Sequence, residues 1–161
     1  MRNISKDLTD FIVENQSRFY HLAYSYVKNP DDALDVVSEA VVRAMQSSEN
    51  LKKPEYMKTW FYRIVINTSL SYLKKKSRVV YLEDAKPKNE PAAPDDYRDL
   101  DLQEALDALD EKYRIVIILH YFEDFTLEQT AKTLGISCST AKTRLYAGLE
   151  KLKRGGLLRA R

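Results

Sequence analysis

The stretch "TLEQTAKTLGISCSTAKTRLYAGLEKLK", Thr126 to Lys153, decides how this chain is read. Thr126 and Gln129 stand at the spacing of a capping box, in which each side chain satisfies a free backbone N–H at the start of a helix. Gly135 falls where that helix must stop, since glycine takes the left-handed position after a helix without penalty. Ile136 can plug the space between two helices, and Ser137 can cap the second one. The turn is then about three residues long, as a helix-turn-helix requires. At about 100° per residue the second helix divides in two. Ala141, Leu145, Gly148, Leu149 and Leu152 fall on the inward side, and Ser139, Lys142, Thr143 and Tyr146 on the outward side. Arg144 and Lys151 lie to one flank. Donors, a cation and an aromatic ring on one face suit base edges and phosphates in a DNA groove.

Helices are expected over Leu100–Leu109 and Glu111–Phe122, followed by Leu127–Leu134 and Cys138–Arg154. Toward the N-terminus, Leu8, Phe11, Ile12, Phe19, Leu22, Ala23, Tyr26 and Val27 recur at helical spacing. Asn29, Pro30, Asp31 and Asp32 then form a helix start: a cap, a proline suited to the first position, and acids for the positive end of the dipole. Ala33, Val36, Val37, Ala40, Val41, Ala44 and Met45 form the buried stripe of that helix, which leaves Asp35, Ser38, Glu39 and Val42 outward. A further helix runs from Pro54 to about Lys76. "FYRIVINTSL" is rich in strand formers, but Trp60, Ile64, Asn67, Ser71 and Lys75 make one helical row and Phe61, Val65, Thr68 and Tyr72 the next, and such context overrides propensity. No stretch alternates like a strand, so the fold class is all-α.

"EDAKPKNEPAAPDDYRD", Glu83 to Asp99, holds three of the five prolines and reads as an extended linker. It implies two small helical domains, 1–78 and 100–161, joined by residues 79–99. Charge is segregated along the chain although the net is only +2. Residues 52–78 carry eight basic side chains and one acidic, and residues 125–161 carry eight and two. The intervening residues 79–112 carry four basic and eleven acidic. Two basic blocks point to polyanion contact, with a solvated lysine-rich face as the alternative.

The lone cysteine excludes an internal disulfide and a cysteine-based zinc site. Cys138 follows the Ser137 cap; redox sensing there would need a basic partner or a resolving cysteine, and neither is evident. The charged start "MRNISKDLTDF" does not read as a signal peptide, and no apolar run approaches the roughly 20 residues of a spanning helix. A cytoplasmic protein without direct membrane insertion is expected. No phosphate-binding glycine loop or HExxH occurs, and two distant histidines with one cysteine give no catalytic triad, so neither enzyme, cofactor nor metal is expected. A response regulator would need alternating strands and helices with an acceptor aspartate, which the first half lacks.

With both halves read, the chain resembles the bacterial RNA polymerase sigma factors of the sigma-70 family, in the extracytoplasmic-function (ECF) group. The region 4 resemblance lies in "LDALDEKYRIVIILHYFEDFTLEQTAKTLGISCSTAKTRLYAGLEKLK" and the region 2 resemblance in "FYHLAYSYVKNPDDALDVVSEAVVRAM" and "KTWFYRIVINTSLSYLKKKSR". The resemblance implies promoter-specific transcription initiation with RNA polymerase core, contacts to the β′ clamp and the β flap, promoter DNA as a ligand, and control by an anti-sigma factor under envelope or environmental stress.

Carried onto this sequence, the resemblance implies core polymerase binding by Asp35, Ser38, Glu39 and Val42. It implies −10 DNA binding by Lys53, Tyr56, Lys58, Trp60, Tyr62, Arg63 and Asn67, with a flipped base held by the loop from about Ser48 to Lys58. For Trp60 and Phe61, core packing stands beside DNA contact. Lys74, Lys75, Lys76 and Arg78 suit phosphates. In the second half it implies −35 DNA binding by Ser139, Thr140, Lys142, Thr143, Arg144 and Tyr146. His120 is open to a structural role or a DNA contact. The chain departs from the family where many relatives carry arginine after the aromatic of the recognition helix: here Ala147 and Gly148 follow Tyr146. The acidic linker fits either an RNA mimic or a soluble tether.

Overall fold

The computed structural model describes residues 3–83 and 97–154. The chain forms two compact units, Met1–Pro91 and Ala92–Arg161. Among the described residues every regular element is helical.

The first unit contains α1 (Ile4–Glu14), α2 (Gln16–Val27), α3 (Pro30–Gln46) and α4 (Met57–Glu83), with short 3-10 turns at Ser48–Asn50 and Pro54–Tyr56. The apolar run expected as one helix over residues 8–27 is broken at Asn15, which leaves helical geometry while its side-chain amide donates to the Phe11 carbonyl at 2.8 Å. The break brings the rings of Phe11 and Phe19 to 5.6 Å. Asn29 caps α3 as its sequence implies, accepting from the Asp32 N–H at 2.9 Å, with Pro30 in the first turn.

α2, α3 and α4 pack against one another. Phe19 is the hub, with ring centroids 4.6 Å from Phe61 and 5.2 Å from Tyr62. Ala33, Ala40 and Ala44 line the centre of the buried face of α3, and their small size lets neighbouring helices approach. This centres the buried stripe on Ala33, Val36, Ala40 and Ala44. Val37 and Val41 are half-buried, and Met45, expected in the stripe, is exposed.

α4 continues to Glu83, beyond the expected end near Lys76. After Pro54 no proline or glycine occurs until Pro87, so nothing in that stretch stops the helix. Of the expected linker, residues 84–96 lie outside the described residues.

The second unit contains α5 (Tyr97–Asp107), α6 (Glu111–Ile117), a π-helical turn (Ile118–Phe122), α7 (Leu127–Leu134) and α8 (Cys138–Arg154). The bounds of α7 and α8 match those expected. α6 widens at its end, where the Glu123 N–H reaches the Ile118 carbonyl at 3.0 Å, five residues back. Arg114 is buried and donates to the Leu109 carbonyl at 2.7 Å, closing the turn between α5 and α6. Ile115, Val116, Leu119, Phe125, Ala131, Ala141, Leu145 and Leu152 fill the core.

Candidate nucleic-acid and polymerase interfaces

The turn between α7 and α8 is fixed by hydrogen bonds local in sequence. The Gln129 N–H donates to Thr126 Oγ1 at 3.0 Å, and the Thr126 N–H donates back to Gln129 Oε1 at 2.9 Å. Gly135 is left-handed at φ 70°, ψ 33°. Ser137 Oγ accepts from the Thr140 N–H at 3.0 Å and donates to Thr140 Oγ1 at 2.9 Å.

These caps aim α8. Ser139, Lys142, Thr143 and Tyr146 are exposed, Tyr146 at 58%. Ala141, Leu145, Gly148 and Leu152 are buried, and Leu149 is half-buried. Arg144 is half-buried on the flank. Thr140 is half-buried and engaged by the cap, so its hydroxyl serves the helix start.

Gly148 has a packing role that the sequence alone does not reveal. A Cβ there would stand 2.9 Å from Ile117 Cδ1 and 3.2 Å from Tyr113 Cβ. Its lack of a side chain therefore permits the close approach of α6 and α8, and its position is on the inner side of α8. His120 is occupied in the same unit: its Nδ1 lies 2.8 Å from the Phe125 carbonyl, an acceptor, so this nitrogen is the donor. That bond ties the π turn to the start of the helix-turn-helix and supports the structural role.

In the first unit, α4 presents a basic and polar ridge. Arg63, Asn67, Lys74 and Arg78 are exposed, and Trp60 is half-buried. At helical geometry these five fall within an arc of about 60°. Lys53 and Tyr56 are exposed before the helix, with Lys53 Nζ 6.0 Å from the centre of the Tyr56 ring, and Lys58 is half-buried.

Tyr62 is a correction. It is 1% exposed and packs its ring on Phe19, so it belongs to the core and offers no platform to a base. Phe61, fully buried, is likewise core. Both follow from α2 and α3 packing on α4 together, which buries more of its circumference than one stripe would.

Lys76 is also drawn away from the ridge. Its Nζ lies 2.8 Å from Asp32 Oδ2 at the start of α3. Burial would raise the Asp32 pKa, but hydrogen bonds from Lys76 and Tyr72 outweigh it and hold the carboxyl below its ordinary value. Burial, followed by the hydrogen bond to Asp32 and the charges of Asp32 and Asp35, pushes the Tyr72 hydroxyl up to about 12.

On α3, Asp35, Ser38, Glu39 and Val42 are all exposed. Glu39 is ion-paired with Arg43 one turn on. Arg43 in turn reaches Thr68 Oγ1 of α4 at 3.3 Å. The exposed face extends further than expected: Leu34 is 56% and Met45 37% exposed beside Val42. Leu34, Ser38, Val42 and Met45 recur at i, i+4, i+8 and i+11, a spacing visible in the sequence but eclipsed there by the neighbouring stripe.

Among the described residues no group of three or more His, Cys, Asp or Glu side chains is placed to hold a metal ion. Among them, too, no helix is long and apolar enough to cross a membrane.

Comparison with known proteins finds two family models along the chain. The family model for Sigma-70 region 2 matches residues 11–79, and that for Sigma-70, region 4 matches residues 99–152. The RNA polymerase sigma factor SigV of Bacillus subtilis is 41% identical over 147 residues, covering 91% of this chain and 89% of that protein. The ECF RNA polymerase sigma factor SigW of the same organism is 28% identical over 90% of this chain and 86% of its own. Among solved structures, the sigma factor RpoE of Bartonella quintana, in complex with the anti-sigma factor NepR, matches with a TM-score of 0.85 and 25% identity over 96% of this chain and 98% of that one.

Proposed function

The chain belongs to the sigma-70 family of RNA polymerase sigma factors, in its ECF group, and from that premise we propose that it binds core RNA polymerase and directs initiation at promoters read by two separate surfaces. The observation that carries the reading is the outward face of α8. Four groove-compatible side chains, Ser139, Lys142, Thr143 and Tyr146, stand exposed on a helix whose other side is core. In this reading they meet base edges of the −35 element, with Arg144 on an adjoining phosphate and Thr140 beside the cap.

The ridge on α4 takes the −10 element. Arg63, Lys74 and Arg78 supply cations for the backbone, Asn67 a two-way hydrogen-bonding group, and Tyr56 and Trp60 aromatic surface for unstacked bases. Lys53 and Lys58 flank the loop that would hold a flipped base. The α3 face is assigned to polymerase core: Asp35, Ser38, Glu39 and Val42, widened by Leu34 and Met45. Its mixture of carboxylates and aliphatic groups repels DNA and suits a protein helix. The chain performs no catalysis of its own, needs no cofactor, and works in the cytoplasm where the polymerase is. Control by an anti-sigma factor is part of the proposal, supported by the solved relative held by NepR.

The test is reconstitution of the full chain with core polymerase, followed by runoff transcription on genomic fragments with sequencing of the transcripts. The expected result is 5′ ends clustered downstream of a common two-part motif. Core polymerase that starts nowhere new on adding the protein would sink the proposal.

A further inference from the structure

Leu70 is 39% exposed, and among the described residues of α4 it is the large apolar side chain that stands out most into solvent. Its surroundings set it apart from the exposed aliphatics of α3. Leu34, Val42 and Met45 on α3 sit among Asp31, Asp35 and Glu39, whereas Leu70 sits on the basic ridge. Asn67 is one turn before it and Lys74 one turn after. Arg63 and Arg78 lie two turns away on either side. All five fall within an arc of about 80° and a length of about 22 Å along the axis. An exposed leucine contributes little to the core, and a row of cations is a poor place to meet an apolar protein surface. It is a suitable place to meet DNA, whose phosphates the cations attract and whose bases carry a single exposed methyl group, on C5 of thymine.

We infer that Leu70 is a specificity-determining residue, making an apolar contact to the C5-methyl of a thymine in or bordering the −10 element while Arg63, Lys74 and Arg78 hold the flanking phosphates. This rests on the proposed reading of the α4 ridge and adds a base preference to it. Arg63, Lys74 and Arg78 set affinity and register, and carry no information about sequence. Asn67 can hydrogen-bond several bases. Leu70 can discriminate only for a methyl group, so its contribution is separable from the rest.

The experiment uses full-length protein with core polymerase and a promoter library randomised across the −10 element and its flanks. Wild type should enrich thymine at one position, and Leu70→Ser should lose that enrichment while keeping the rest of the motif. Leu70→Met, still apolar, should retain it. Deoxyuridine at that position, which removes only the methyl, should lower wild-type initiation about threefold to fivefold, the scale of one buried methyl group, and leave Leu70→Ser unchanged. The same base profile for Leu70→Ser and wild type, or equal sensitivity of both to deoxyuridine, overturns the inference while the sigma reading stands. Weaker core binding by Leu70→Ser also overturns it, since the residue would then belong to a protein interface. No initiation by wild type on any library member removes both.

Discussion

The two units hold their exposed faces in place by different means. In the first, α4 is fixed from a distance. Phe19 of α2 supports Phe61 and Tyr62, Arg43 of α3 reaches Thr68, and Asp32 at the start of α3 holds Lys76. In the second, the turn before α8 is set by neighbours in sequence, the Thr126–Gln129 box, left-handed Gly135 and the Ser137 cap, while packing on α6 and α7, including the Gly148 contact, seats the helix. A helix held by tertiary packing keeps its ridge only while the core keeps its volume. A helix whose start is also set by caps depends on the turn as well as on the core.

Six substitutions put this contrast under strain. The largest effect is expected from Phe61→Ala, which removes a fully buried ring and should cost about 3–5 kcal/mol. Urea unfolding followed by a probe in each unit should show the first unit's transition collapse and the second unit's stay. Equal shifts in both would mean that the units do not hold their helices independently.

Gly148→Leu comes next, at about 1–3 kcal/mol of overpacking against Ile117 and Tyr113. Gly148→Ala should be close to neutral, because alanine gains about 1 kcal/mol of helix propensity and the tip of Ile117 can move aside. Thermal unfolding of the two variants separates the contributions; a stabilised leucine variant would show that the helices are not held at that contact. Thr126→Ala should cost about 1 kcal/mol, the usual worth of a cap. It should also weaken dependence on the −35 element and leave the −10 profile as it is.

The smallest effect is in pH. Tyr72 has its folded pKa raised, so its contribution is present below the unfolded value near 10 and is lost as pH rises toward about 12. Asp32 has its folded pKa lowered, so its contribution is present above the ordinary value of 3.8 and is lost as pH falls through the folded value. Tyr72→Phe should therefore flatten the alkaline limb of the stability profile and Asp32→Asn the acid limb, as read by denaturant titrations across pH. Unchanged limbs in both variants would show that the pair is not coupled to folding.

The same contrast explains what could be read from the residues alone. In the second unit the signals are local, so the bounds of α7 and α8 and the division of α8 into faces follow from Thr126, Gln129, Gly135 and Ser137. What was missed there is tertiary: the contact of Ile117 and Tyr113 on Gly148, the carbonyl that engages His120, and the π turn. In the first unit the helices are legible from their spacing, and the Asn29–Pro30 start is as expected. The share of each helix that is buried is not, because it depends on how many neighbours pack on it. That is why Tyr62 turns inward, Met45 turns out, and Lys76 leaves the ridge. Asn15 breaks its helix for a similar reason: its own spacing permits continuity, and the meeting of Phe11 with Phe19 favours the bend.

The most direct test of two independent promoter-reading faces is a cycle with holoenzyme. Initiation is measured on a promoter with its −35 element intact or scrambled, using wild type and the Lys142→Ala/Tyr146→Ala variant. Scrambling should lower wild-type initiation about tenfold or more, the scale of one good base contact. The variant should start low and change little on scrambling, with core binding and the −10 preference intact. A variant that still loses as much as wild type on scrambling would contradict the assignment of α8, and one that fails to bind core would place the polymerase contact on the face assigned to DNA.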